Sequence, residues 1–263
     1  MNLHTHLFSD YFSYQKNLLT TIDPRIKTVF TVLMIFTVIL LKELFILLFI
    51  SVSIIILLLL NRIPARILIV RISAPLVISA VLISIQAVFN GTHPFTSFCI
   101  GGFVINIYRE GLSYGIIIGT RILCASSLVL FLSMTTPLNY ILETFKYFKI
   151  PQSIIEVGLY TYRYVFVFLE SSITIMSAQK TRLGYKNLNQ GIKSFGVLIG
   201  SMIINAFEQA EKTHDSMILR GYSGNLVYYT DIRNFDRIDF WIGGFMFFLW
   251  IVLVIISLLR GWF

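Results

Sequence analysis

Long apolar stretches with very few charges dominate the first half of the chain. Residues 29–41 and 44–60 are apolar and are divided only by Lys42 and Glu43. One continuous helix through both runs would be too long for a bilayer, whose hydrocarbon core of about 30 Å is spanned by about 20 residues. The sequence therefore predicts two helices joined by a tight turn at Lys42 and Glu43.

Three further apolar runs of membrane-spanning length occur, at residues 72–89, 111–132 and 240–259. Because the chain is 56% hydrophobic and only 13% charged, a soluble domain is excluded. We expect an all-α polytopic membrane protein with about five transmembrane helices, together with long cytoplasmic helices. The intervening residues 90–110, rich in Gly and aromatic side chains, are predicted to form a loop.

The distribution of Lys and Arg predicts how the chain is oriented in a cell membrane. Except for Lys42, the bases before residue 72 fall on the same side as every base from Lys146 to Arg237, whereas Lys42, Arg109 and Arg260 fall on the other. Since bases collect on the cytoplasmic side, we expect a cytoplasmic N-terminus and, with five spans, an external C-terminus. The net charge of +8 has the same explanation and requires no nucleic acid.

Four regions follow from these patterns. They are a cytoplasmic N-terminal segment at 1–27, four transmembrane helices at 28–133, a cytoplasmic helical region at 134–237 and a C-terminal transmembrane helix at 238–263. An alternative is that 151–181 and 191–207 also cross the membrane, which gives seven spans and the same orientation at each end.

Two helices of the third region end in the same small signature. In the first, Ala178 is followed four residues later by Arg182 and then by Gly184. In the second, Ser216 is followed four residues later by Arg220 and then by Gly221. The step of four puts the small residue and the Arg on one helix face, and Gly commonly ends a helix with a positive φ. Basic residues are common in last helical turns, but the repetition favours two protruding arginines that dock into another protein.

Small residues and one cation mark contacts inside the predicted bundle. Gly111, Gly115 and Gly119 repeat every four residues, a spacing that lets two membrane helices pack closely. Arg121 lies in the same apolar run, where it needs a partner, and we expect it to have a structural role there. A second pair, Gly196 and Gly200, predicts a close helix crossing.

The motifs of several enzyme classes are missing from the sequence. No GxxxxGK[ST] phosphate loop is present, so we expect ATP hydrolysis to need another subunit. HExxH, CxxC and GxSxG are also missing. Cys99 and Cys124 fit no metal or disulfide pattern. We therefore expect no catalytic, cofactor-binding or metal-binding residues.

The chain resembles the transmembrane T component of energy-coupling factor transporters, in particular the cobalt-type CbiQ family, and the matching motifs occur in the family's order. The residues that carry the resemblance are Asp23-Pro24-Arg25-Ile26-Lys27, Arg62-Ile63-Pro64, Thr135-Thr136-Pro137, Tyr162-Arg163-Tyr164, Ala178-x3-Arg182-x-Gly184 and Met217-x2-Arg220-Gly221-Tyr222-x-Gly224. The first arginine motif departs from the family pattern, because Thr181 and Leu183 flank Arg182 where a plainer Ala-Arg-Gly is often found.

The resemblance implies a non-catalytic subunit of an ATP-driven importer. Its partners would be two ABC-type ATPase subunits, which receive Arg182 and Arg220, and a substrate-binding membrane subunit similar to CbiM. It implies cobalt as the cargo, with nickel and a vitamin as alternatives. An ATPase-independent carrier or channel remains the rival reading, but it would require polar groups that converge at mid-membrane or broken helices in repeated halves.

Overall fold

The computed structural model describes residues 22–61, 63–91, 94–100, 103–222 and 237–259. Residues 1–21 of the expected N-terminal segment, together with Arg62 and Gly224, lie outside the described residues. The chain forms two compact units. Of the described residues, 22–141 and 237–259 belong to the first unit and 142–222 to the second.

Within its described residues, the first unit contains five long helices and a β-hairpin. In chain order these elements are α1 (Pro24–Leu40), α2 (Leu44–Leu60), α3 (Ala65–Phe89), β1 (Pro94–Ile100), β2 (Phe103–Tyr108), α4 (Arg109–Thr135) and, after the second unit, α8 (Arg237–Leu259).

The start of α1 and its turn into α2 follow from local chemistry. Asp23 caps α1, since its Oδ1 accepts a hydrogen bond of 2.8 Å from the backbone N–H of Arg25. Pro24 occupies the first helical turn, where a missing N–H costs nothing. The two helices are separated only by residues 41–43, so the predicted turn at Lys42 and Glu43 is confirmed.

Helix α4 is the central element of the first unit, because it packs against α1, α2 and α3. Residues of α1, α2 and α4 build most of the buried apolar core, which includes Val38, Leu47, Leu58, Leu128 and Met134. Helix α8 packs against α1. There the indole N–H of Trp250 donates a 2.7 Å hydrogen bond to the hydroxyl of Thr37.

The expected loop at 90–110 is wrong in part. Strands β1 and β2 pair antiparallel, with Ile100 opposite Phe103 and Ser97 opposite Asn106. Two runs of aromatic and β-branched residues flank Gly101 and Gly102, and such a dipeptide is typical of two-residue hairpin turns. That signal was present in the sequence.

The second unit is built on two long helices, α6 (Gln152–Thr181) and α7 (Leu188–Leu219). They are preceded by the short α5 (Leu138–Thr144), whose first four residues belong to the first unit, and by a 3-10 turn (Phe145–Phe148). Helices α6 and α7 run antiparallel, because side chains near the start of α6 meet the end of α7. The phenol of Tyr160 donates to Sδ of Met217 at 3.0 Å, and the hydroxyls of Tyr164 and Thr213 lie 2.5 Å apart.

Length and composition identify membrane-spanning candidates among the described residues. Helices α3, α4 and α7 are long and apolar enough to cross a bilayer, whereas α2 and residues 243–255 of α8 are apolar but shorter. Together these helices confirm the predicted all-α polytopic membrane protein. Because α7 belongs to this group, the seven-span alternative stays open on composition alone.

Candidate functional site

The first arginine motif ends α6 in a hydrogen-bonded cap. Arg182 is the C-cap residue, and its N–H donates to the carbonyl of Ala178 at 3.3 Å. The N–H of Leu183 then donates to Lys180 O at 3.1 Å, and that of Gly184 donates to Gln179 O at 2.9 Å. These last two bonds form a Schellman motif, which satisfies carbonyls that the helix leaves unpaired.

The second motif ends α7 in the same way. Arg220 is the C-cap residue. The N–H of Gly221 donates to Ile218 O at 2.9 Å, and that of Tyr222 donates to Met217 O at 3.0 Å. This is again a Schellman motif, in the same register relative to the arginine. Arg182 and Arg220 therefore occupy equivalent positions at two helix ends.

The residue with a positive φ differs between the two motifs. Gly221 takes the left-handed conformation in the second, with φ of 82°. In the first, the expectation that Gly184 does so is wrong, because Leu183 has φ of 57° instead. Leu183 is the residue directly after the C-cap, the position that the Schellman geometry requires to be left-handed.

Gly184 is instead required for space. A Cβ at this position would lie 2.7 Å from Oγ of Ser194 and 2.9 Å from the carbonyl oxygen of Gln179. These neighbours fasten the end of α6 to the beginning of α7. Ser194 Oγ donates to Gly184 O at 2.8 Å, and Gln179 Nε2 donates to Ser194 O at 2.9 Å. Tyr185 completes the network, since its hydroxyl donates to Gln179 Oε1 at 2.6 Å.

This network separates the two arginines widely. Arg182 lies near the second turn of α7, because Gly184, two residues further on, accepts the hydrogen bond of Ser194. Arg220 caps the opposite end of α7. At a rise of 1.5 Å per residue, α7 extends about 40 Å from Ser194 to Arg220. One continuous helix therefore holds the two arginines apart.

Both arginine motifs are open to the surroundings. Arg182 and Arg220 are exposed, as are the small residues Ala178 and Ser216 one turn earlier. Neither arginine forms an ion pair within the part of the chain that the structure describes. Their guanidinium groups are therefore available to a carboxylate of another protein.

The structure does not contain the crossing expected at Gly196 and Gly200. A Cβ built on either glycine meets nothing within 4 Å among the described residues. The interpretation of a crossing between two helices of this chain is therefore wrong, because α6 and α7 do not approach each other at these positions. Both glycines instead lie on an open face of α7, near the exposed Phe195, Val197 and Ile203.

Gly111, Gly115 and Gly119 are buried where α4 packs against α3. A Cβ on Gly111 would collide with the carbonyl oxygens of Gln86 and Asn90. A Cβ on Gly115 would lie 3.2 Å from the Cα of Ile83. The missing side chains therefore allow the two helix backbones to approach closely.

Two cations bind backbone carbonyls in the first unit. Arg121 Nη2 donates to Leu41 O at 2.7 Å, which places its charge at the C-terminal end of α1. Lys27, only 1% exposed, donates from Nζ to Thr135 O at 3.1 Å at the end of α4. A cation near the C-terminus of a helix is stabilised by the helix dipole. The sequence predicted a structural role for Arg121. It did not indicate the contact of Lys27 with Thr135, nor that of Ser194 with Gly184.

Comparisons with known proteins identify the family of this chain. The family model CbiQ, described as cobalt transport protein, matches residues 15–229. MJ1089 of Methanocaldococcus jannaschii, a protein of uncharacterized function, is 30% identical over 219 residues, which cover 83% of this chain and 82% of the relative.

Two further relatives have names that describe a role. A fused cobalt transport protein CbiMQ of Methanocorpusculum labreanum is 32% identical over 127 residues, 48% of this chain and 21% of the fusion. The energy-coupling factor transporter transmembrane protein EcfT of Macrococcus caseolyticus is 27% identical over 135 residues, 46% of this chain and 50% of the relative. Because the family match extends over most of a chain with apolar helices of membrane-spanning length, this chain belongs to the CbiQ family of cobalt transport proteins and is a membrane component of a transporter.

Proposed function

We propose that the chain is the energy-coupling subunit of an ATP-driven importer and that Arg182 and Arg220 each dock into a separate ATPase subunit. The observation that carries this proposal is the equivalence of the two helix ends. Both arginines are exposed C-caps of Schellman motifs, and α7 holds them about 40 Å apart. Two identical projections at this spacing suit two similar partners.

The chemistry of arginine supports this role. A guanidinium group cannot lose its charge at physiological pH, and its planar fork of donors matches a carboxylate. Charge-assisted hydrogen bonds of this kind are roughly twice as strong as neutral ones. Each ATPase would therefore present an acidic socket to one arginine motif.

The docking proposal also predicts how α7 lies relative to the membrane. If both arginines meet cytoplasmic ATPases, then both ends of α7 are on the cytoplasmic side. A helix that crosses the bilayer once has its ends on opposite sides, so α7 would lie along the membrane surface. Five spans with a cytoplasmic N-terminus in the cell membrane then follow, and the seven-span alternative is disfavoured.

In this mechanism α6 and α7 act as levers. Nucleotide binding would close the two ATPases and draw the docked helix ends with them. The hydrogen bonds between Gln179, Ser194 and Gly184 would transmit this displacement from α6 to α7. The open face of α7 at Gly196 and Gly200 would then bear on a substrate-binding membrane subunit, which releases its cargo.

The proposed partner and cargo rest on the relatives. One relative is named as a fusion of CbiM and CbiQ, which supports a CbiM-like substrate subunit beside this chain. The family description supports cobalt as the cargo. Nickel and a vitamin are the alternatives. We propose no catalytic residue and no cofactor for this subunit.

Purification with and without the neighbouring gene products tests the proposal. We expect two ATPase subunits and a membrane subunit to co-purify with the tagged chain, and we expect cobalt uptake in vesicles to require all of them and ATP. Uptake by the chain alone would contradict the coupling role and favour an independent carrier.

A further inference from the structure

A cavity of about 530 Å³ lies beside Arg220 in the second unit. The described residues that line it come from one stretch of α6, namely Tyr160, Arg163 and Tyr164, and from the last turns of α7 with the residues after it. Three of these residues are cations, Arg163, Lys212 and Arg220, whereas none is Asp or Glu. The cavity therefore carries a positive charge that suits an anion.

The second unit supplies little compensation for these charges. Within the described part of the chain, neither Arg163 nor Arg220 forms an ion pair or a side-chain hydrogen bond. Lys212 lies 3.8 Å from Glu208, but both side chains are more than half exposed, so water screens this pair. Cations gathered around one cavity repel one another, and an anion that enters it offsets the repulsion. The cavity is therefore suited to an acidic group from outside the chain.

The number and positions of the cations favour more than one acidic group. One carboxylate neutralises one of the three charges, and the docking of Arg220 already places a carboxylate at the end of α7. Lys212 lies two turns earlier, about 12 Å along the helix axis. Arg163 lies at the same level as Lys212, because the next residues, Tyr164 and Thr213, hydrogen-bond to each other. Arg163 and Lys212 therefore form a second cationic position beside that of Arg220.

The first helix end has a different arrangement of bases. Eight residues before Arg182, at the position that corresponds to Lys212, α6 has Thr174. The bases near Arg182 are Lys180 in the last turn of α6 and Lys186 in the connection to α7. The two ends therefore match in their arginines and caps but differ in the charges around them.

We propose that the cavity receives a second acidic side chain of the ATPase that docks on Arg220, and that Arg163 and Lys212 bind its carboxylate. This inference rests on the docking proposed above and adds a contact to it. An ATPase bound at Arg220 already lies at one end of the cavity, and an acidic surface there would complement the two remaining bases. The planar donor fork of Arg163 matches a carboxylate. Ser216, between Lys212 and Arg220, adds a hydroxyl donor. This end of α7 therefore selects an ATPase with two acidic groups over one with a single acidic group.

The test is the equilibrium binding of the purified ATPase to the full-length chain in lipid nanodiscs. All variants carry Arg182→Ala, so that only the second helix end is available. Arg163→Gln with Lys212→Gln should raise the Kd about 10-fold, about threefold for each charge pair at a partly solvated interface. The difference should shrink in about 1 M salt, because the charges are then screened beyond about 3 Å.

Lys180→Gln with Lys186→Gln in the same background is the matched control, because it removes the same number of charges outside the cavity. This control should leave the Kd unchanged. Equal losses in the two double variants would overturn the proposal, since only the total charge would then matter.

The arginine variant separates this proposal from the docking on which it rests. If Arg220→Ala abolishes binding but Arg163→Gln with Lys212→Gln leaves the Kd unchanged, the second contact is wrong and the docking of Arg220 stands. If binding survives Arg220→Ala in the Arg182→Ala background, the docking is wrong and the second contact is wrong with it.

Discussion

The ammonium group of Lys27 donates a 3.1 Å hydrogen bond to the carbonyl oxygen of Thr135, and so joins the first turn of α1 to the last residue of α4. Lys27 is almost fully buried, and the buried Asp23 and Asp239 both interact with it electrostatically. Lys27 therefore links the end of the central helix α4 to two carboxylates, that of Asp23 at the cap of α1 and that of Asp239 in α8.

Replacement of Lys27 by Met should destabilise the first unit. The apolar stem is kept, but the carbonyl and the carboxylates lose their cation, at a cost of about 3–5 kcal/mol for a broken buried pair. Thermal unfolding in detergent measures the effect. Lys42→Met is the control, since Lys42 lies in the turn after α1, and it should change stability by less than about 0.5 kcal/mol. Equal stability of the two variants would contradict a structural role for Lys27.

Gly111→Ala should destabilise the packing of α3 on α4. The added Cβ would collide with two backbone carbonyls, which cannot rotate away as a side chain can. Overpacking of this kind costs about 1–3 kcal/mol. Gly244→Ala in α8 is the matched control, because nothing lies within 4 Å of a Cβ there. A loss of stability in the control as large as that at Gly111 would show that the effect does not come from helix packing.

Leu183→Gly should stabilise the end of α6. Leu183 is a left-handed residue with a side chain that is 66% exposed, so its replacement relieves about 1 kcal/mol of strain and loses little packing. Hydrogen exchange of the amides of residues 182–184 would report slower opening. Leu219→Gly, at the exposed last residue of α7, should do the opposite, at a cost of up to about 1 kcal/mol. Faster exchange in the Leu183 variant would contradict the assigned cap.

Leucine at Gly196 or Gly200 should leave the chain intact and impair transport. Because both positions are open, we expect no overpacking and a gain of roughly 0.5–1 kcal/mol in helix propensity. Uptake should fall, since the bulk would hinder the proposed substrate subunit. Gly191→Leu is the control, because Gly191 lies about half a turn away from Gly200 around the helix. Normal uptake in the first two variants would show that no partner packs there.

The sequence predicted the elements of this fold better than their contacts. Apolar runs that end at charged residues, such as Lys42 and Glu43, predicted the helices of the first unit, because the thickness of the bilayer sets the length of a spanning helix. The glycine spacing in α4 indicated a close contact, and Gly111 has one. The same spacing at Gly196 and Gly200 did not produce a contact, since small residues permit an approach but do not drive it.

In the candidate site, too, the sequence predicted the elements better than the contacts between them. The repeated step from Ala178 to Arg182 and from Ser216 to Arg220 identified two equivalent helix ends. Which residue becomes left-handed depends on the hydrogen-bond register of each cap, and the presence of Gly184 pointed to the wrong position. The contact of Ser194 with Gly184 comes from the antiparallel return of the chain, for which the local sequence has no pattern.

The most direct measurement of the coupling account is ATPase retention by a tagged chain that carries Arg182→Ala and Arg220→Ala together. Each truncation of a buried ionic contact should cost about 3–5 kcal/mol, so the single variants should each lose one ATPase and the double variant both. Lys at either position should restore retention in part, because it keeps the charge but not the planar fork. Lys180→Ala with Lys186→Ala controls for the loss of charge at exposed positions. The account predicts that the double arginine variant remains folded in the membrane, releases both ATPases and loses uptake, whereas full retention with normal uptake would contradict it.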